Sequence, residues 1–228
     1  MPTSRRRYNG KSADQRSRER RDALISAARL EWTSHGADGV RVRRVCARAG
    51  LNDRYFYQQF PHTDDLLVAV VEQGLAELRE VMFDAAVACE GSPRDRMRAG
   101  ILAYFEHLGD DPGLMRILTT DSAGRPGVTG ARLESQRSIA RIVLQYLNID
   151  EGGDGTSGAM DPFAKAMYCV GGAAALVESW LADEFPRMSI GELADVATDS
   201  TLRIFGETIH AGASTTVDVA PHPGPAQP

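Results

Sequence analysis

A chain of 228 residues, 43% hydrophobic and 25% charged, is long enough to bury a core as one domain or as a small domain joined to a larger one. It contains no apolar run near the roughly 20 residues of a membrane helix. The first residues, MPTSRRRYNGKSADQRSRERR, lack the apolar stretch of a secretory signal, so a cytoplasmic protein is expected. The formal charge of −5 hides a division. Residues 1–60 carry 14 Lys and Arg against 6 Asp and Glu, a balance of +8, while residues 61–228 carry 12 against 25, a balance of −13. A basic head on an acidic body attracts a polyanion to one end and repels it from the other.

Residues 1–16 are polar and basic and are expected to form a flexible arm, with Arg5, Arg6 and Arg7 able to enter a DNA minor groove or to add only nonspecific attraction. A helix is expected from about Ser17 to His35, with Leu24, Ala27, Ala28 and Trp32 as its inward stripe and Gly36 ending it. Residues 37–39 then lead to a short helix. Val42, Val45, Cys46 and Ala49 repeat at the spacing of one helix face. Gly50 suits a left-handed helix end, and Leu51 can plug the corner between two helices. Asn52 can cap the next helix, with Asp53 at its positive end. Phe56 and Phe60, four residues apart, face inward. Arg54, Tyr55, Gln58 and Gln59 are left on the outer face, a set better matched to base edges and phosphates than to solvent.

Pro61 stops that helix, and Thr63 with Asp64 and Asp65 starts another. Leu66, Leu67, Val70, Val71, Leu75, Leu78 and Met82 carry it to about Ala88, some 25 residues or ~38 Å. Pro93 opens a helix to about Leu108, and a short apolar segment spans Leu114 to Thr120. Residues 123–130 read as loop, and Ala131 to Asn148 as helix. The glycine-rich 151–158 reads as a flexible loop. Helices of about Asp161–Glu184 and Ser189–Glu207 close the chain, and the tail 211–228 is expected to be disordered. No segment alternates as a strand does. The fold class is all-α, with a three-helix head over 17–65, a larger helical part over 66–210, and about nine helices or more.

Cys46, Cys89 and Cys169 are odd in number and far apart, which points to buried small hydrophobes rather than a disulfide framework or metal site. His35, His62 and His107 have no metal-ligand spacing. There is no GxSxG, HExxH, P-loop or dinucleotide fingerprint, so enzymatic activity is not expected. No cofactor is expected.

The order Ala27-Ala28, Trp32, Gly36, Val42-Arg43, Ala49-Gly50, Tyr57-x-x-Phe60 and Leu66-Leu67 resembles the TetR family of transcriptional regulators over residues 21–71. The stretch 171–181 followed by 189–194 is more loosely similar to that family's last two helices. The resemblance implies a helix-turn-helix DNA-binding regulator. The expected form is a homodimeric repressor that binds a palindromic operator and is released by a small, largely apolar molecule. A regulator controlled by a protein partner, or an activator, is the alternative. The sequence departs from the family pattern at Thr63, usually a phosphate-binding Lys, at Arg41, commonly Ser or Thr, and at Glu31, often apolar.

DNA contacts are expected from Arg41, Val42, Arg43, Asn52, Arg54, Tyr55, Tyr57, Gln58, Gln59 and Thr63. Arg54 suits guanine and Gln58 or Gln59 suits adenine, and each good pair discriminates by ~1–3 kcal/mol. Arg41 and Arg43 suit phosphates; Tyr57 does so by resemblance, and Arg44 reads as a surface charge. Met97, Ile101, Tyr104, Phe105 and Leu108 form a wide stripe followed by Met115 and Leu118. This stripe is either core or the wall of a ligand pocket, with Tyr104, His107 or Gln136 as polar groups. The homodimer interface is expected at Met167, Gly171, Ala174, Val177, Trp180, Leu181, Val196 and Leu202.

Overall fold

The computed structural model describes residues 12–119, 125–149, 161–185 and 187–213. The basic arm with Arg5, Arg6 and Arg7, the glycine-rich 151–158 and the tail beyond 213 lie outside the described residues. Every described element is a helix: α1 Ala13–His35, a 3-10 turn Ala37–Gly39, α2 Val42–Ala49, α3 Asp53–Gln59, α4 Thr63–Ala88, α5 Pro93–Asp110, α6 Pro112–Thr119, α7 Pro126–Leu147, α8 Pro162–Leu181 and α9 Ile190–Ala213.

Helix α1 starts four residues earlier than the periodicity predicts, because Ser12 caps it by accepting from the Gln15 amide at 3.0 Å. Its stripe Leu24, Ala27, Ala28 and Trp32 is buried with Val45 and Cys46 of α2, Phe56 of α3, and Phe60. Leu66, Leu67, Val70 and Val71 continue the same core into α4. The head is therefore packed directly onto the first turns of the long helix.

In the larger part, α4, α5, α7, α8 and α9 lie against one another. Gly100 permits a close approach of α5 to α4, since a Cβ there would come within 2.9 Å of the Met82 carbonyl oxygen. Polar clasps fix the remaining pairs. Arg98 Nε donates to Asp195 at 2.7 Å and Arg94 Nε to Asp199 at 2.9 Å, tying α5 to α9. Arg79 donates to the buried Ser135 hydroxyl at 3.0 Å, tying α4 to α7.

Three further boundaries differ from expectation. The stretch read as loop over 123–130 is helical from Pro126, which sits in the first turn where a missing N–H costs nothing. Gly127 there faces Val68 of α4, and a Cβ would reach 2.9 Å from Val68 Cγ2. Close packing, rather than a turn, accounts for that glycine. Helix α8 stops at Leu181, short of Glu184, because Asp183 turns left-handed (φ 62°) and Trp180 Nε1 donates to the Met188 carbonyl at 2.7 Å. Helix α9 runs on to Ala213, past the expected start of the tail at 211.

Candidate DNA-binding face and ligand cavity

Helices α2 and α3 meet at Gly50, whose φ of 65° and ψ of 29° place it in the left-handed region that favours glycine. Leu51 packs under the corner. Asn52 caps α3 by accepting from the Tyr55 amide at 3.2 Å, an arrangement worth ~1 kcal/mol. Phe56 and Phe60 point into the core with their rings 6.0 Å apart.

The outer face of α3 is narrower than its sequence suggests. Arg54, Tyr57 and Gln58 are exposed, whereas Tyr55 and Gln59 are half-buried. Gln59 donates from Nε2 to the Ser17 hydroxyl at 2.9 Å, and its carbonyl accepts from Arg21 at 3.3 Å. The Arg20 guanidinium sits 4.8 Å from the Tyr55 ring centroid, and Arg21 sits 4.4 Å from that of Phe60. Ser17, Arg20 and Arg21 thus clamp α3 to α1. Sequence reasoning missed this clamp. Its signal was the spacing of Ser17, Arg21, Leu24 and Ala28, which lie on one helical face.

On α2 the arginines divide. Arg48 Nε donates to Glu31 at 2.7 Å, and Arg44 lies 3.9 Å from the same carboxylate, with His35 at 3.4 Å. Glu31 is only 4% exposed, and the Arg48 and Arg44 guanidiniums neutralise it in a position where the related pattern is often apolar. Arg41, Arg43 and Arg54 are exposed and make no ion pair among the described residues. Val42 is half-buried against the core, and Thr63 is half-buried at the start of α4. The exposed cations and the Arg54, Tyr57, Gln58 edge share one end of the molecule, a surface suited to phosphates flanking a read groove.

A cavity of about 320 Å³ lies in the larger part, within the size range of ligand pockets. Met97, Ile101, Tyr104 and Leu108 of α5 line it, with Met115 and Leu118 of α6 and Gln136 of α7. Phe105 does not; it is fully buried in the core on the other side of α5. His107, the other polar candidate, also lies off the cavity wall. Sequence reasoning missed most of the polar lining: Arg132, Ser135, Glu178 and Arg96, along with Cys169 and Thr201. Arg132 donates to Glu178 at 3.1 Å, joining α7 to α8. Burial, then the nearby Glu178 carboxylate, push the Tyr104 phenol up to about 12 against the weaker opposing pull of Arg132.

Helix α6 stands between cavity and head. Met115 and Leu118 face the cavity, while Arg116 donates to the Thr33 carbonyl of α1 at 3.2 Å. At the corner before α6, Asp111 accepts from Arg29 of α1 at 2.6 Å, and Arg29 also reaches Glu77 of α4 at 2.6 Å. A Cβ on Gly74 would meet Leu114 Cδ1 within 2.5 Å, so α4 and α6 are in tight contact.

Of the expected interface residues, Val177 is fully buried inside the chain. Ala174 lines the cavity. Trp180 and Leu181 pack on the internal core and Met167 on a second buried cluster. Gly171 and Leu202 are half-buried and Val196 is exposed. The outward side of α8 instead presents Ala164, Tyr168, Gly172 and Ala175, with Tyr168 71% exposed.

A short helix, a left-handed glycine corner and a second helix with outward Arg, Tyr and Gln define a helix-turn-helix DNA-binding protein. Residues 24–70 match the family model described as bacterial regulatory proteins, tetR family. The matched stretch, 47 of 228 residues, is the helix-turn-helix head and the first turns of α4, so the likeness to that family is of the DNA-binding part. The fold as a whole is similar to solved structures of low identity. A transcriptional regulator from Streptomyces coelicolor is 16% identical, with 85% of this chain and 86% of that one covered at a TM-score of 0.65. A regulator from Pseudomonas aeruginosa is 16% identical, with 90% and 97% covered at 0.64. The regulator FadR from Bacillus subtilis, solved in complex with stearoyl-CoA, is 16% identical, with 79% and 96% covered at 0.56. Among the described residues no helix is long and apolar enough to cross a membrane.

Proposed function

We propose that the protein is a homodimeric, ligand-responsive repressor that leaves a two-fold symmetric operator when a small, largely apolar molecule fills the cavity between α4, α5 and α7. The observation that carries this reading is the position of α6, with Met115 and Leu118 on the cavity and Arg116 and the Asp111 corner on α1. A ligand that displaces α6 works directly against contacts holding the DNA-reading head. The binding energy it transmits is limited to its differential affinity for the two arrangements. That FadR from Bacillus subtilis was solved with stearoyl-CoA lends support to an apolar effector.

The dimer rests on the outer faces of α8 and α9. Gly171 and Gly172 sit inside a helix, where each costs ~1 kcal/mol relative to Ala, yet a Cβ on either would meet nothing within 4 Å among the described residues. A second copy packed closely on α8 supplies the missing reason. Exposed Tyr168 and Val196 flank the same surface.

The test is fluorescence anisotropy of a labelled duplex bound by the full chain, titrated with compounds first shown to raise the melting temperature of the free protein. Release of the duplex by such a compound is expected. If compounds that occupy the cavity leave DNA affinity unchanged, the effector reading fails, and control by a protein partner, or activation, takes its place.

A further inference from the structure

The cavity is polarised along its length. Gly127 against Val68, Arg79 on Ser135, and the Tyr146 hydroxyl donating to the Pro93 carbonyl at 2.9 Å set α7 alongside α4 in the same direction. One end, beside α6, therefore holds Tyr104, Arg132, Gln136 and Glu178. The other end lies where α4 finishes and α5 begins. There Phe83 and Val87 are 58% and 66% exposed, and Ile142 and Tyr146 also reach solvent, with Arg96 beside them. That end is the wider mouth, while at the α6 end the Arg132 and Glu178 side chains are 30% and 35% exposed. Between them lie Met82, Met97, Ile101, Ile139 and Val143, all apolar.

The α6 end is polar, and the two charges that line it balance. Arg132 and Glu178 cancel one another at 3.1 Å, so neither an anion nor a cation gains a net counter-charge from the lining itself, and Arg79 stands behind Ser135, outside that lining. Bringing a second charge into that region would carry a desolvation cost with little return. The Tyr104 hydroxyl and the Gln136 amide, both on the cavity wall, find no hydrogen-bond partner among the described residues. Both groups open onto the cavity, where a ligand oxygen can replace water as their partner. The Tyr104 phenol, pushed up to about 12, stays protonated and is available as a donor.

The geometry points to an effector that is an elongated, uncharged amphiphile with a single hydroxyl or carbonyl at one end. It enters apolar body last, its oxygen lodged between Tyr104, Gln136 and the Arg132–Glu178 pair and its hydrocarbon filling the channel towards Phe83 and Val87. Tyr104 and Met97 stand seven residues apart on α5, ~10 Å along the helix, a length matched by a chain of medium size. This inference rests on the reading of the cavity as the effector site. It adds which end of the ligand sits against α6, and so which contact moves Met115 and Leu118.

The test uses decanol, decanoate and decylammonium, one chain with three head groups, titrated calorimetrically into the full-length protein without DNA. Decanol is expected to bind tightest. Tyr104→Phe, which keeps the ring and its packing, is expected to weaken decanol about tenfold, the worth of one buried hydrogen bond. Glu178→Gln removes the charge that neutralises Arg132 and is expected to turn the preference towards decanoate, a reversal that mere loosening of the fold would not produce. Decanoate binding best to the wild-type chain and losing affinity in Arg96→Ala would place the head group at the mouth and overturn the inference. So would failure of all three probes to bind, or equal binding by Tyr104→Phe. Decanol that binds as expected but leaves DNA affinity unchanged sinks the effector reading while this assignment of ligand chemistry stands.

Discussion

At the scale of single residues, the head is held in shape by charged side chains that find their partners within the chain. Glu31, buried and paired with Arg48 and His35, draws the end of α2 onto α1. Ser17, Arg20 and Arg21 do the same for α3 through Gln59, Tyr55 and Phe60. Basic residues in the first quarter thus serve two purposes, and only some of them are left for phosphate. Glu31→Gln keeps the size of the side chain and removes the charge-assisted hydrogen bond from Arg48. It is expected to lower stability by about 1–2 kcal/mol and to weaken DNA binding without changing which bases are preferred. Urea melts paired with binding to operator variants check this. An altered base preference would mean that Glu31 shapes the reading edge directly. The sequence marked Glu31 as unusual but not why, because its guanidinium partners Arg44 and Arg48 lie on a different helix. In the same way the outward face of α3 was legible as a set of DNA-capable residues. Which of them lean towards α1 was not, since that depends on how α1 crosses α3.

At the scale of elements, ion pairs rather than apolar contact alone join the helices that matter for coupling. Burial would raise the Asp111 carboxyl, but the Leu114 amide and the Arg29 guanidinium outweigh it and hold it below the ordinary range. The Arg98 guanidinium does the same for Asp195 on α9. A carboxylate depressed in the folded state contributes stability that is complete above its unfolded pKa of ~3.9 and is lost as pH falls through the folded value. Stability should therefore fall below about pH 4, and Arg98→Met should reduce stability at neutral pH but add little to the loss in acid. Urea midpoints measured across that range for both proteins decide it. A difference between them that persists undiminished in acid would contradict the assigned pair. Element existence was readable from periodicity for α1 to α5, where apolar stripes are long and bounded by Pro or Gly. The start of α7 was not, because Pro126 and Gly127 read locally as a loop. Only the close approach of Gly127 to Val68 explains their place in a helix.

At the scale of the whole molecule, charge, fold and cavity share one axis. The basic head carries exposed Arg41, Arg43, Arg54, Tyr57 and Gln58, α6 links it to the cavity, and the acidic excess belongs to the larger helical part. The Met and aromatic stripe of α5 left core and pocket open as alternatives in the sequence, and it divides between them. Met97, Ile101, Tyr104 and Leu108 line the cavity, while Phe105 fills the core. Helical spacing alone cannot separate two adjacent faces of one apolar stripe. The faces of α8 were equally mixed in the sequence: Val177 turns inward, whereas Tyr168 is 71% exposed and a Cβ on Gly172 would meet nothing within 4 Å among the described residues. An account in which two such chains read DNA together makes a definite demand on the DNA. Selection of bound sites from random duplexes by the full-length protein, run in parallel with Gln58→Ala and Arg43→Ala, tests it most directly. The expected result is an inverted repeat for the wild type, the same repeat with one position relaxed in each half for Gln58→Ala, and an unchanged but uniformly weaker consensus for Arg43→Ala. A consensus without two-fold symmetry, or one that Gln58→Ala leaves untouched, would contradict the account.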